Sequence, residues 1–396
     1  MTATALGTAL PDRGIVQSVV DRAVPLDPVG SPTTGSGFLR GDQRAFTIIT
    51  PAFNAENWIA EAVQSALNQT LPDWQMIVID NGSTDRTGEI VEGFLKDPRL
   101  RLVRNPENRP VSVIRNEIAN SHGGDYLVML DADDRLLPTF LERVLREFER
   151  DPNVAVVSPD AQLIDASSGR HFDFTLMESR WWKAPHRVQP GGMVSALATR
   201  DFLYAGAAVR RDVFIALGGL DPDLFGCMDW DLWIRVAASG REIALIREPL
   251  AEYRVHSGSL SRPNSDQVAG NLLTNVARMF SQLIPRNDLK PRERAALRRS
   301  LARVRRHALM ANSRAALLAG DRSGARSLAY QAFTTFPRPR SLAVVLALRL
   351  TPGWVRRQHE RRIEESRETG RVIGFGPSHD PRILRGRRRP PRKPAE

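Results

Sequence analysis

From residue 45 to residue 131 the chain alternates between short, almost wholly apolar runs and stretches with apolar residues at helical spacing. "AFTIIT" (45–50) reads as a strand stopped by Pro51. "ENWIAEAVQSALNQ" (56–69) repeats Trp58, Ile59, Ala62, Val63, Ala66 and Leu67 on one helical face. "WQMIVID" (74–80) reads as a strand covered on both faces, because it has no polar alternation. "DNGSTDRT" is turn chemistry. A helix over "GEIVEGFLK" (88–96), a strand over "LRLVRN" (100–105), a helix over "VIRNEIANS" (113–121) and a strand over "DYLVML" (125–130) follow. Such an alternation predicts an α/β sheet with parallel connections.

Beyond it the pattern is less regular. "FLERVLREFERD" reads as a helix, "NVAVVSPDAQLID" as a strand, and "DWDLWIRVAASG" as a helix closed by Gly240. "REIALIREPLAEYRVH" is strand-like. After Gln267 the chain is helical and rich in Ala and Arg. "HALMANSRAALLAGDRSGARSLAYQAFTTFP" has the look of a helix-turn-helix pair, although a single pair does not make a repeat array.

Composition adds bounds. Apolar residues make up 42% and charged residues 26% of 396, the balance of a globular protein with a sizeable core. The single cysteine, Cys227, excludes an internal disulfide framework, and beside Asp229 it reads as a small packed side chain. No run approaches the roughly 20 apolar residues of a spanning helix, and the N-terminus lacks secretory signal character, so a cytoplasmic location is expected. The net charge is +11, and its excess lies after residue 285, in "RNDLKPRERAALRRSLARVRRH" and "RILRGRRRPPRKP". That appendage suits an anionic surface or is a solvated helical face. "RSLAVVLALRLTPGWVRR" (340–357) has the makings of an interfacial helix at the inner membrane face, or of a helix packed on the rest of the protein.

Candidate chemistry gathers at strand ends. In an open α/β sheet, ligands bind outside the carboxyl ends of the strands. "TPAFNAEN", "DNGSTD" and "DADD" all fall there, whereas neither common phosphate-binding glycine loop is present. Residues i and i+2 of an extended segment face one way, so Asp131 and Asp133 can present two carboxylates to a hard divalent cation. The alternative is that these acids only cap the following helix. Asp80 and Asn81 can address a nucleobase edge, and Thr50, Pro51 and Asn54 can shape a base and ribose pocket, or each can be part of a turn. Trp181 and Trp182 can stack on a sugar or pack in a loop.

In combination these stretches resemble a known family. "TIITPAFNAENWIAEAVQSALNQTLPDWQMIVIDNGSTDRTGEIV", "RNEIANSHGGDYLVMLDADD", "CMDWDLWIRVAASG" and "YRVHSGSLS" together resemble a family 2 glycosyltransferase over about residues 45–260. The resemblance implies a GT-A fold: an α/β, Rossmann-like nucleotide-binding sheet, mostly parallel, here with a C-terminal α-helical appendage. It covers an expected glycosyltransferase domain (44–264), while composition and pattern outside it predict a disordered Pro-, Gly-, Thr- and Ser-rich leader (1–43), a basic helical region (265–370) and a disordered basic tail (371–396). Within the domain, 44–135 would be the nucleotide-sugar half and 136–264 the acceptor half.

The resemblance also implies roles. Asp131 and Asp133 would be the metal-binding pair for Mn2+ or Mg2+, with His256 close to the metal and diphosphate. Thr50, Pro51, Asn54, Glu56, Asp80, Asn81 and Ser83 would line the nucleotide pocket, with Arg115 and Asp131 near the donor. Asp229 would be the catalytic base, and Asp231 should point elsewhere. The family often has an Asp pair where this chain has Asp80-Asn81, and Glu where it has Met228. The implied activity is inverting, metal-dependent transfer from a nucleoside-diphosphate sugar to a glycan or glycolipid hydroxyl, in cell-surface polysaccharide assembly. The alternatives are a polyprenyl-phosphate acceptor, which needs no base, and a non-catalytic nucleotide-sugar or nucleic-acid binder. No nucleic-acid-binding module is recognisable, and no specific nucleic acid is expected as a partner.

Overall fold

The computed structural model describes residues 45–180, 192–256, 266–337 and 339–369. The expected leader, the expected tail and the Trp181-Trp182 pair lie outside the described residues.

The first half forms as its pattern predicts. Strands β1 (Phe46–Ala52), β2 (Trp74–Asn81), β3 (Leu100–Asn105) and β4 (Tyr126–Val128) alternate with helices α1 (Ile59–Leu67), α2 (Thr87–Glu92) and α3 (Val111–Ser121). β1 runs parallel to both β2 and β4, and β2 runs parallel to β3. Every residue of β2 is buried. Ile48, Met76, Val78 and Val128 pack on one face of the sheet, and Ile49, Ile77, Ile79 and Leu127 pack on the other. Two-sided cover removes any need for polar alternation, which is why these strands read as continuous apolar runs. Pro51 does not end β1, whose register continues to Ala52 opposite Asp80. α2 is shorter than expected and gives way to turns after Glu92.

The second half turns the sheet. β5 (Arg135–Leu136), α4 (Phe140–Arg150), β6 (Val154–Asp165), β7 (His171–Thr175), α5 (Leu176–Arg180), α6 (Met193–Thr199), β8 (Ala208–Arg210), α7 (Arg211–Ala216), α8 (Met228–Ala238) and β9 (Glu242–Val255) follow. The strand order is β3-β2-β1-β4-β8-β6-β9-β5, with β7 on β6. β6 and β9 are parallel, while β8 lies antiparallel between β4 and β6 and joins the two parallel sets. The short strands β5, β7 and β8 carried no readable pattern. α8 ends as expected, with Gly240 at φ +85°, a left-handed conformation that suits glycine.

Among the described residues five helices follow: α9 (Asp266–Leu283), α10 (Pro291–Leu318), α11 (Arg322–Thr335), α12 (Pro339–Leu350) and α13 (Pro352–Thr369). α9 is not a loose appendage. Met279, Phe280 and Leu283 belong to the same apolar cluster as Trp233 and Ile234 of α8. Phe280 meets Trp230 edge-on at 5.4 Å between ring centroids. Asn275 donates to the Phe225 carbonyl, and Arg278 pairs with Asp223 at 2.6 Å. Among the described residues no helix is long and apolar enough to cross a membrane.

Candidate active site

The parallel register brings the predicted strand ends to one edge. Thr50 pairs with Val78, Ala52 with Asp80, and Asn81 with Asn105. Asp131 follows three residues after Val128, the last residue of β4 to pair with β1.

At this edge the β1–α1 loop is bonded to the loop after β2. Asn54 has φ +48°, a conformation that asparagine tolerates better than most side chains. Its amide donates to Ser83 Oγ at 3.0 Å, and its Oδ1 accepts from the Thr84 amide at 2.9 Å. The Glu56 amide donates to Asp85 Oδ2, the Arg86 amide donates to Glu56 Oε2, and the Ala55 amide donates to Thr87 Oγ1. Asp80 is buried and accepts from the Ser83 amide at 3.1 Å. Gly88 lets α2 close on it, since a Cβ there would lie 2.5 Å from Asp80 Oδ2. Thr50 is fully buried, and its hydroxyl has no hydrogen-bond partner among the described residues. Pro51 is half-buried beside it.

Asn81 departs from its expected place lining the pocket. It is 1% exposed, and its Nδ2 donates to Asn108 Oδ1 and the Arg109 carbonyl, each at 2.8 Å. Its Oδ1 accepts from Asn105 Nδ2 and the Arg109 amide, each at 3.0 Å. All its hydrogen-bonding capacity is used, so it braces the loop over 105–109 and leaves nothing for a nucleobase edge.

The acidic run divides by role. Arg115, buried on α3, donates from Nη2 to Asp131 Oδ1 at 2.6 Å. Asp133 Oδ2 lies 2.8 Å from His256 Nε2. Asp134 is buried behind them and accepts from Tyr204 Oη and the Arg254 amide, each at 3.0 Å. Desolvation pushes the Asp131 carboxyl above its ordinary range. Arg115 opposes this, and the charges of Asp133 and Asp229 add to it.

Asp229 stands in the first turn of α8, partly exposed, with no hydrogen bond or ion pair among the described residues. Its charge, from the other half of the fold, is among those that raise the Asp131 carboxyl. Asp231 turns inward, 4% exposed, and pairs with Arg235 Nε at 2.6 Å. Cys227 is buried, and burial followed by Asp229 and Asp231 pushes its thiol well up, so it is an inert packed side chain.

The expected three-residue metal set does not form. Among the described residues no three His, Cys, Asp or Glu side chains are grouped to hold an ion. Arg115 engages Asp131 through Oδ1. Asp133 and His256 meet at 2.8 Å, and a pair of this kind suits a Mg2+ or Mn2+ ion shared with substrate phosphates rather than one caged by protein.

Three residues of this site were missed in the sequence. Arg254 is buried and donates from Nε to the Asp133 carbonyl and from Nη2 to Glu61 Oε2. Its guanidinium lies 4.4 Å from the centre of the Trp58 ring, which in turn stacks on His256. A readable signal existed, because Arg254 near the end of β9 and His256 just beyond it are two positions apart, the spacing at which extended residues face the same side.

This architecture, a sheet whose parallel first half carries acids at its carboxyl edge, is that of the α/β folds that bind ligands at that edge. The profile of Glycosyl transferase family 2 matches residues 47–218. A Bacillus subtilis glycosyltransferase assigned to teichuronic acid biosynthesis is 38% identical over 217 residues, covering 54% of this chain and 81% of that protein. An uncharacterised glycosyltransferase of Methanocaldococcus jannaschii is 25% identical over 224 residues, covering 54% of this chain and 72% of the relative. The crystal structure of S. aureus TarS 1–349 in complex with UDP-GlcNAc superposes with a TM-score of 0.54 at 16% identity, over 83% of this chain and 93% of that one, and shares the fold. The chain belongs to glycosyltransferase family 2 and has the GT-A fold.

Proposed function

We propose that this glycosyltransferase is inverting. It moves a sugar from a nucleoside-diphosphate sugar to a hydroxyl of a glycan or glycolipid during cell-surface polysaccharide assembly. The observation that carries this reading is Asp229, a partly exposed carboxylate with no hydrogen bond or ion pair among the described residues, close enough to Asp131 for its charge to be felt there. A carboxylate in that state is available to accept a proton.

The donor's nucleoside sits in the pocket edged by Thr50, Pro51, Asn54, Glu56, Asp80 and Ser83. Arg115 holds Asp131 in place beside it. Asp229 takes the proton of the acceptor hydroxyl as that oxygen forms its bond to the anomeric carbon. The bond to the diphosphate breaks on the opposite face, and the leaving diphosphate keeps the electron pair, so the configuration inverts. Asp133 and His256 would hold Mn2+ or Mg2+ together with the donor's phosphates, and such an ion offsets the negative charge of the leaving diphosphate. A polyprenyl-phosphate acceptor is already ionised and would leave Asp229 without a task. The Bacillus relative supports the polysaccharide setting.

The test is a donor screen. Purified protein is incubated with a panel of nucleotide sugars, with Mn2+, Mg2+ or a chelator, and melting temperature and sugar release are read. One nucleotide class should raise the melting temperature. Absence of any stabilisation across the panel overturns the reading.

A further inference from the structure

We propose that α12 and the start of α13 form a docking surface for an anionic lipid bilayer. α12 has two apolar faces with different fates. Val345 and Leu348 are buried against Leu317 of α10 and Ala325 and Ala329 of α11, in a small cluster of their own. On the other face Leu342, Leu346 and Leu350 are 40%, 48% and 78% exposed, and Trp354 at the start of α13 is 54% exposed. These values decide the matter, since a helix packed by all its apolar residues would leave none of them in water.

The exposed residues form a stripe. At 3.6 residues per turn, steps of four advance by about 40°, so the three leucines fall within a sector of about 80°. Arg349 lies seven positions after Leu342, at the margin of that sector, and is exposed. On α13, Arg357 and Arg361 stand three and seven positions after Trp354, on its side of the helix, and both are exposed. Glu360 lies off this face and pairs with Arg356 at 2.8 Å.

Charge chooses the occupant. A second copy docked stripe to stripe would set Arg349, Arg357 and Arg361 against their own equivalents, and between Leu342 and Arg361 no carboxylate lies on that face to receive them. A polyanion such as a nucleic acid would satisfy the arginines and leave the leucines wet. An anionic bilayer takes both: leucines and tryptophan enter the headgroup boundary, while arginines extend to the phosphates. Residues 370–396 carry eight basic side chains against two acidic, so the chain beyond α13 has the sign that such a surface attracts. Neither helix is apolar enough to span, so the contact is peripheral.

The experiment is flotation of the full chain with vesicles of phosphatidylcholine alone or with a third of phosphatidylglycerol. The wild type should float with the anionic vesicles at low salt, and weakly with the neutral ones. Leu346→Asp with Leu350→Asp should cut that partitioning by at least about tenfold, because it places charge in the apolar contact. Arg349→Glu with Arg357→Glu and Arg361→Glu should do the same with the leucines intact, and unchanged melting temperatures separate docking from folding. No flotation with anionic vesicles overturns the proposal. So does flotation undiminished by the leucine pair. Concentration-dependent self-association lost in the leucine variant, without vesicle binding, assigns the stripe to a second copy instead.

Discussion

His256 Nε2 lies 2.8 Å from Asp133 Oδ2, although 123 positions separate the two residues. The contact exists because Arg254, on the same side of β9, fixes the Asp133 carbonyl from one direction and the Trp58 ring from the other. The Arg254 guanidinium and the His256 imidazole therefore approach Asp133 from a single strand end, and both positions matter for any ion shared with a diphosphate.

Asp133→Ala should abolish the divalent-dependent part of nucleoside-diphosphate binding, measured by calorimetry with and without Mn2+. His256→Ala should weaken the same part by about tenfold, having removed one of two donors. Asp134→Ala should instead lower stability, because it strands the Tyr204 hydroxyl and the Arg254 amide in the interior. Divalent-dependent binding that survives Asp133→Ala removes the metal assignment.

Asp229→Asn keeps shape and removes basicity. Turnover should fall by a factor of roughly 10²–10⁴, with donor affinity unchanged. The measurement is transfer rate beside donor affinity, once the donor screen has named a substrate. Near wild-type transfer would make Asp229 a helix-end acid and place the base elsewhere. Lost donor binding would move Asp229 into the nucleotide pocket.

Arg235 is buried, pairs with Asp231, and donates to the Leu217 and Gly219 carbonyls at 2.8 and 2.6 Å. Arg235→Leu leaves a carboxylate and two carbonyls without their cation. The expected loss is about 3–5 kcal/mol in denaturant unfolding, the usual cost of breaking a buried pair from one side. A loss within the scatter of surface substitutions would show that Asp231 is not compensated by this arginine.

Burial pushes the Asp160 carboxyl above its ordinary value of 3.8, against hydrogen bonds donated by the Thr175 hydroxyl and the Met177 and Ala161 amides. The folded chain therefore holds this proton more tightly than the unfolded chain. The contribution to stability is complete below 3.8 and is lost as pH rises through the higher folded-state value. Asp160→Asn cannot titrate. The stability of the wild type relative to this variant should fall as pH rises from about 4, then level off. Urea melts across that range check it, and a flat difference would mean that burial leaves this carboxyl unshifted.

Much of the fold was legible because its strands are buried on both faces. β1, β2, β4 and β6 announce themselves as apolar runs, and the acids that follow β1, β2 and β4 fall at the edge where such sheets bind ligands. β5, β7 and β8 left no mark, since two to five residues cannot display a period and their pairing comes from β4, β6 and β9. The residue types of the site were readable too, but not their partners. Asn81 has the chemistry of a base-reading residue, and only the fold of the loop over 105–109 uses up its hydrogen bonds.

The sequence alone determined the family, the parallel nucleotide-type half, and the acids of both halves, because those follow from local apolar pattern and motif order. Tertiary structure decided which acids remain open. Arg115 engages Asp131, Tyr204 and Arg254 engage Asp134, Arg235 engages Asp231, and Asp229 is left without a bonded partner among the described residues. It also decided that α9 shares the core of α8 while α12 keeps one leucine face in water. The physical reason is the same throughout. Periodicity records that a face is apolar or a side chain charged, whereas the group that meets it comes from a segment tens to hundreds of residues away.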